Sequence, residues 1–273
     1  MSPYHPLSFG LTGWRHRTMI LRLAGRRIAS RYRGSVLGIA WAVLEPLAML
    51  GIYTFIFGLV FRAKWGALPV GDGSRGEFAL FLFSGLAIYS VFSEAVNDSP
   101  QAILGADQYV KQLIFPSEVL AWVAVVAGLF KFVISMSLLV FFYRMTLGHL
   151  PVTALLLPLI VLPVILLTLG VTWLVSSLGV YLRDLGQLVG LCTTALLFVS
   201  PIFYPASTIP ARFQDLYFLN PFAGVLEMSK QILFAGVVPD PIAIVGSIAI
   251  GWGVAWLGHG WFLRAKAGFA DVL

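Results

Sequence analysis

Two charges stand inside otherwise apolar runs of this chain: Glu45 in the run 36–61 and Lys131 in the run 119–143. An ionisable side chain at membrane depth costs several kcal/mol, so it usually faces a bundle interior or an aqueous cavity. Counted from one side, Glu45 lies about three turns and Lys131 about four turns into its run. Similar depth leaves two arrangements open. The two form an ion pair, or each is satisfied separately by backbone, water or a second subunit.

The second chemical feature is basic. On a helix from Trp14 to Arg33, the side chains of Arg15, Arg22, Arg26 and Arg33 form one stripe, at spacings of 7, 11 and 18 residues from the first. Ile20, Leu21, Ala24 and Ile28 fall on the opposite side. A basic amphipathic helix ahead of an apolar run suits a membrane interface with anionic headgroups. The plainer alternative is that these arginines only fix topology. A phosphate-bearing lipid-linked substrate would use the same chemistry.

Aromatic residues make up 14% of the chain. Trp41, Tyr53, Phe57, Tyr89, Phe92, Trp173, Phe198, Phe203 and Tyr204 lie within or at the ends of apolar runs. Interfacial belts and lipid-facing bulk explain most such positions. A pore with aromatic walls is the functional alternative, since aromatic faces suit the C–H faces of sugar rings.

Catalytic signals are absent. No G-x-x-x-x-G-K-[ST] occurs, so no P-loop cradles a nucleotide. His5, His16, His149 and His259 are scattered, with no metal-ligand spacing. Asp215 and Glu227 stand in polar loops without a partnered constellation, and Cys192 is the one cysteine. The expectation is a chain that is no enzyme and binds no metal or cofactor.

These residues need elements to hold them. Of 273 residues, 59% are hydrophobic and only 11% charged, and mean hydropathy is +0.90. Soluble domains carry about a quarter charged residues. The chain therefore reads as an all-α integral membrane protein forming one domain over residues 1–273. Six spans are expected, at 36–61, 78–97, 119–143, 152–180, 188–204 and 241–263, after an interface helix at 14–33. With six spans both termini share one side. That side holds 11 Lys and Arg against 6 on the other, which makes it cytoplasmic. The arginines reach Arg33 with no short apolar core behind them, so the N-terminus does not fit a cleaved signal. The net charge of +6 reads as topology and headgroup contact, not nucleic acid.

The loop after the fifth run has its own pattern. Asn220-Pro221 is a good helix start. Phe222, Val225, Leu226, Ser229, Ile232 and Leu233 follow at helical spacing, and Gly236 supplies a stop. Glu227, Lys230 and Gln231 fall on the other face. Ile209-Pro210 could open a second short helix. Helices within 208–235 would lie at or dip into the outer leaflet; an ordinary folded loop is the alternative.

Several stretches together carry a resemblance. Arg31-Tyr32-Arg33-Gly34-Ser35-Val36-Leu37-Gly38 runs on through Trp41 and Glu45-Pro46-Leu47. Phe115-Pro116-Ser117-Glu118 precedes the third run, and Tyr181-Leu182-Arg183-Asp184-Leu185 the fifth. Ser200-Pro201-Ile202-Phe203-Tyr204-Pro205 ends the fifth, Asn220-Pro221-Phe222 opens the loop helix, and the tail reads Gly268-Phe269-Ala270-Asp271-Val272-Leu273. In this order, over nearly the whole chain, they resemble permease subunits of polysaccharide-exporting ABC transporters, the Wzm-like O-antigen, capsule and teichoic-acid exporters of the type-2 ABC permease superfamily. Glu45 departs from the pattern, which often has Gln there.

The resemblance implies two permeases paired with two copies of a separate, Wzt-like ATPase that binds ATP and Mg²⁺. Residues 99–115, with Asp107, Gln108, Tyr109 and Lys111, would hold the coupling helix that docks on the ATPase. Helices within 208–235 would form the outer gate. The substrate would be a polyprenyl-diphosphate-linked glycan crossing the bacterial inner membrane in lipopolysaccharide biosynthesis, with Trp41, Tyr53, Phe57, Tyr89, Phe198, Phe203 and Tyr204 as channel contacts. A drug or lipo-oligosaccharide exporter of the same superfamily is the first alternative. A membrane glycosyl- or acyltransferase is the second, and it lacks a His or carboxylate cluster.

Overall fold

The computed structural model describes residues 5–6, 8–56, 75–106, 115–204 and 220–269. All regular structure among them is helical. Two short helices open the chain, α1 (Ser8–Arg15) and α2 (Arg17–Tyr32). Then come α3 (Trp41–Tyr53), α4 (Arg75–Asp98), α5 (Val119–Thr146), α6 (Leu157–Tyr181) and α7 (Leu185–Val199). The last two are α8 (Pro221–Lys230) and α9 (Pro241–Ala265).

Among the described residues, five segments are long and apolar enough to cross a membrane: Gly38–Ile56, Glu77–Gln101, Val119–Thr146, Val152–Tyr181 and Pro241–Gly268. They fall on five of the six expected runs. The fifth run differs: α7 has only 15 residues. At 1.5 Å per residue it extends about 22 Å, against about 30 Å of hydrocarbon. It starts earlier than expected, at Leu185, and stops at Val199, where Ser200 turns extended and Pro201 follows. The interface helix also begins later than expected. It breaks at His16, so Arg15 ends α1, and Arg33 caps α2 rather than lying within it. The first run starts late as well, since Val36 is wholly exposed and helix begins at Gly38.

Burial decides which helix organises the rest. α4 is the hub: most of it is buried, whereas the span containing α3 is largely exposed. Its Phe81, Phe83, Ile88 and Phe92 join Leu139, Tyr143, Ile160, Val164, Phe222 and Phe234 in the main core. A second core gathers Phe9 of α1 with Trp173, Ala255 and Phe262. Here α6 and α9 meet backbone to backbone. A Cβ on Gly258 would sit 2.1 Å from the Gly170 carbonyl oxygen, and one on Gly170 would sit 2.3 Å from that of Val254. Small residues permit such approach between membrane helices, where packing rather than hydrophobicity drives association.

Local chemistry sets the ends of α8. Asn220 caps it by accepting from Phe222 N at 2.9 Å, with Pro221 at the first position. The last turn, Gln231–Ala235, is π-helical, and Gly236 stops it at a φ of 66°.

Candidate functional site

Where α3, α4, α5 and α7 meet, a cavity of about 320 Å³ opens. Its polar lining comes from Glu45 of α3, from Ser90, Ser93 and Asn97 of α4, from Lys131 and Ser135 of α5, and from Thr193 and Thr194 of α7. Tyr53 and Tyr89 complete one wall. The Thr193 hydroxyl donates to Asn97 Oδ1 at 2.9 Å, tying α7 to α4 across the floor. Tyr89 is buried and donates to the Thr193 carbonyl. Hydroxyls and amides outnumber charges here, which suits a neutral, hydroxyl-rich ligand or water.

Of the two arrangements left open for Glu45 and Lys131, the structure takes the ion pair: Lys131 Nζ lies 2.9 Å from Glu45 Oε1. The same ammonium lies 2.6 Å from Glu94 Oε1. Glu94 Oε2 then accepts from Arg31 at 2.8 Å. Arg31 also reaches Asp98 at 3.3 Å, and Asp98 holds Arg27 at 2.8 Å. Three cations alternate with three carboxylates, from α2 through α4 to α5 and α3. The ladder is neutral as a whole, which lowers the cost of placing it at membrane depth. Burial pulls the Arg31 pKa down, but the hydrogen bond and charge of Glu94, with the charge of Asp98, outweigh it and raise it.

Glu94, Asp98, Arg27 and Arg31 are functional candidates that sequence reasoning missed. The signal was present: Arg27 and Arg31 are four apart, as are Glu94 and Asp98, so each pair shares one helix face.

The stripe arginines Arg15, Arg22, Arg26 and Arg33 are all exposed, while Ile20 and Ala24 are buried against α5. Leu21, expected on the packed side, is 61% exposed, because α2 presents only a narrow face to α5. Trp14 is also bare and carries the Arg17 guanidinium 4.9 Å above its ring.

The aromatics divide. Tyr53 and Tyr89 reach the cavity. Trp41 and Phe198 are exposed outside it, and Phe198 stacks on Phe203 at 5.6 Å. Tyr204 donates to the carbonyls of Phe198 and Val199, closing the end of α7 on itself. Phe92 and Trp173 are core residues, not belt or pore surface: Phe92 packs on Phe222 and Trp173 donates to the Glu118 carbonyl. Phe57, Asp107, Gln108, Tyr109, Lys111 and Asp215, with 208–219 of the outer loop, lie outside the described residues.

Lys230, assigned by spacing to the polar face of α8, is buried. Its Nζ donates to the Pro201 carbonyl at 2.7 Å and sits 4.5 Å above the Phe81 ring. The long stem carries the ammonium past the helix edge, which a count of spacings does not capture.

Five apolar helices long enough to cross a membrane, among the described residues, with a partly polar cavity where α3, α4, α5 and α7 meet, define the class: a polytopic helical membrane protein. The chain belongs to the ABC-2 type transporter family, whose pattern matches residues 18–234. It is 29% identical to an O-antigen export system permease protein of Myxococcus xanthus, over 95% of this chain and 97% of that relative. A Klebsiella pneumoniae O-antigen export system permease protein is 25% identical over 93% and 95%. A polysialic acid transport protein of Escherichia coli is 26% identical over 80% and 82%.

Proposed function

We propose that this chain is the channel-forming permease half of an ABC exporter that moves a polyprenyl-diphosphate-linked, O-antigen-like polysaccharide across the bacterial inner membrane. The observation that carries the reading is the end-to-end similarity to O-antigen export permeases of two organisms. The hydroxyls of Ser90, Ser93, Ser135, Thr193 and Thr194 along the cavity offer hydrogen-bond partners to a sugar of that cargo.

Energy comes from a separate ATPase subunit, which binds the ATP and Mg²⁺. That subunit docks on the segment 99–115, which follows Asp98 in sequence. A second copy of this chain completes the channel. Bare apolar faces support this: Val43, Met49, Ile52 and Phe55 on or just beyond α3, and Leu188, Leu191 and Phe198 on α7, are all exposed. The channel runs between the copies, with Trp41, Tyr53, Phe57, Tyr89, Phe198, Phe203 and Tyr204 along it. α7 with residues 200–204 makes the sixth crossing and leaves both termini cytoplasmic. α2 lies on the cytoplasmic surface, where Arg15, Arg22, Arg26 and Arg33 meet anionic headgroups. α8 belongs to the outer gate.

The test is deletion and complementation in the native host. Surface polysaccharide should vanish, lipid-linked glycan should accumulate on the inner face, and both should be restored by this chain together with its ATPase. Unchanged surface glycan, with loss of drug or lipo-oligosaccharide efflux instead, overturns the reading.

A further inference from the structure

We infer that Gly179 is a positioning residue of the transport cycle: by seating the backbone of Pro100, it makes the segment that leads to the ATPase move α6 and α9 as one body. The inference rests on the reading above that the ATPase docks on 99–115.

That segment begins where α4 ends. After Asp98 the chain tightens into a single 3₁₀ turn, Ser99–Gln101. Pro100 has no N–H with which to continue an α-helical ladder, so the rod of α4 stops there. Ser99 and Pro100 are buried all the same, because the turn sits against α6. Gly179 is what lets it sit there. A Cβ on Gly179 would lie 2.8 Å from Pro100 Cα and 2.9 Å from its carbonyl carbon, and nearer still to its carbonyl oxygen. Any larger residue has to displace backbone to fit.

Three contacts join this segment to the rest of the molecule, and they differ in stiffness. Asp98 holds Arg27 and Arg31 of α2, but its side chain is 42% exposed. An ion pair so open to water yields for about 1 kcal/mol or less. Ile103 is fully buried with Phe9, Trp173 and Phe262, and that contact is side chain on side chain. At Gly179 the contact is backbone on backbone. It has no rotamer to change, and close-packed atoms transmit a displacement instead of absorbing it.

α6 passes the displacement on. Its last residue, Tyr181, donates to the Ala265 carbonyl at the end of α9 at 3.1 Å. Farther along, Gly170 and Gly258 bring the same two helices backbone to backbone. α3 stands outside this body: its span is largely exposed, and Glu45 ties it to Lys131 of α5. A push at Pro100 therefore carries α6 and α9 past the helix that borders the cavity.

The experiment places the permease–ATPase complex in proteoliposomes with lipid-linked glycan extracted from the host, and counts glycan moved for each ATP hydrolysed. Gly179→Ala should hydrolyse ATP within about twofold of wild type and move about tenfold less glycan per ATP. Gly253→Ala, with nothing within 4 Å of its Cβ, should match wild type in both. A Gly179→Ala ratio equal to that of the wild type overturns the inference. Should Gly179→Ala not assemble, spin labels follow the intact contact in a Cys192→Ser background. Labels on Gln101→Cys and Arg183→Cys, both exposed positions, should keep their separation within about 2 Å between nucleotide-free and ATP-bound complexes. The separation from Gln101→Cys to Ile39→Cys, just ahead of α3, should change by more. A larger change in the first distance, or none in the second, overturns the inference. A wild-type complex that moves no glycan overturns the exporter reading itself, and this inference falls with it.

Discussion

Lys131 and Glu45, 86 residues apart in sequence, meet at 2.9 Å on one edge of the central cavity. Lys131 is the more enclosed partner: its side chain is 17% exposed, against 46% for Glu45. It also holds Glu94, so a single ammonium joins α3, α4 and α5.

That asymmetry predicts unequal mutational costs. Lys131→Met leaves Glu45 without its partner and Glu94 with Arg31 alone, and should cost about 2 kcal/mol. Glu45→Gln leaves Lys131 paired with Glu94 and should cost under about 1 kcal/mol, because Glu45 is half open to solvent. Thermal unfolding of the purified protein in nanodiscs checks both. Adding Glu94→Gln to Lys131→Met should restore part of the loss. Equal shifts for the two single variants would contradict the ladder.

The α6–α9 contact predicts a steric threshold. Gly258→Leu places a side chain where a Cβ already lies 2.1 Å from the Gly170 carbonyl oxygen. The helices must part, and membrane-integrated protein should fall severalfold. Gly260→Ala, with nothing within 4 Å of its Cβ, should accumulate normally. Immunoblots of membrane fractions distinguish the two.

The cap of α8 predicts a graded loss. Asn220→Ala removes the bond to Phe222 N and the bond to Ser200 Oγ, and should destabilise α8 by about 2 kcal/mol. Asn220→Asp keeps the cap and loses only the amide donor, so it should cost about half as much. Hydrogen exchange of the Ala223–Leu226 amides reports the difference; identical protection in all three proteins would refute the assignment.

The channel assignment predicts a division among aromatics. Trp41→Ala and Phe198→Ala remove exposed rings and should slow export while leaving thermal stability within about 0.5 kcal/mol. Phe92→Ala and Trp173→Ala empty core sites and should lower stability by about 3 kcal/mol or more. Export and melting temperature, measured on the same four variants, test the split.

The arginines of α2 predict two separate phenotypes. Neutralising Arg22 and Arg26 to Gln should weaken contact with anionic lipid and lower surface glycan at unchanged protein level. Neutralising Arg27 and Arg31 should instead loosen α2 from α4, because these two carry the pairs to Asp98 and Glu94. Protease accessibility of α2 in membrane vesicles should rise only for the second pair.

Much of the fold was legible from hydropathy alone. Five runs became spans with ends shifted by a few residues, and Asn220-Pro221 and Gly236 bounded the outer helix as their chemistry requires. In the fifth run the helix covers Leu185–Val199, because the Ser200-Pro201 turn stops it while apolar composition continues beyond. The site was legible only in part. Glu45 and Lys131 stood out because they interrupt apolar runs. Glu94 and Asp98 did not, because they sit where a run ends and charge is unremarkable.

The sequence by itself determined that the chain is helical and membrane-embedded, since backbone groups in hydrocarbon must be satisfied within a helix and the runs have the length to span it. It also determined where charge is scarce enough to matter. Only the tertiary structure decided which charges meet. Pairing depends on distances across helices that are far apart in sequence, and on rotations set by side-chain volume and by glycine contacts such as Gly170 with Gly258. The same packing turned Lys230 inward from a polar face, because the reach of a long side chain is measured in space rather than in residues along a helix.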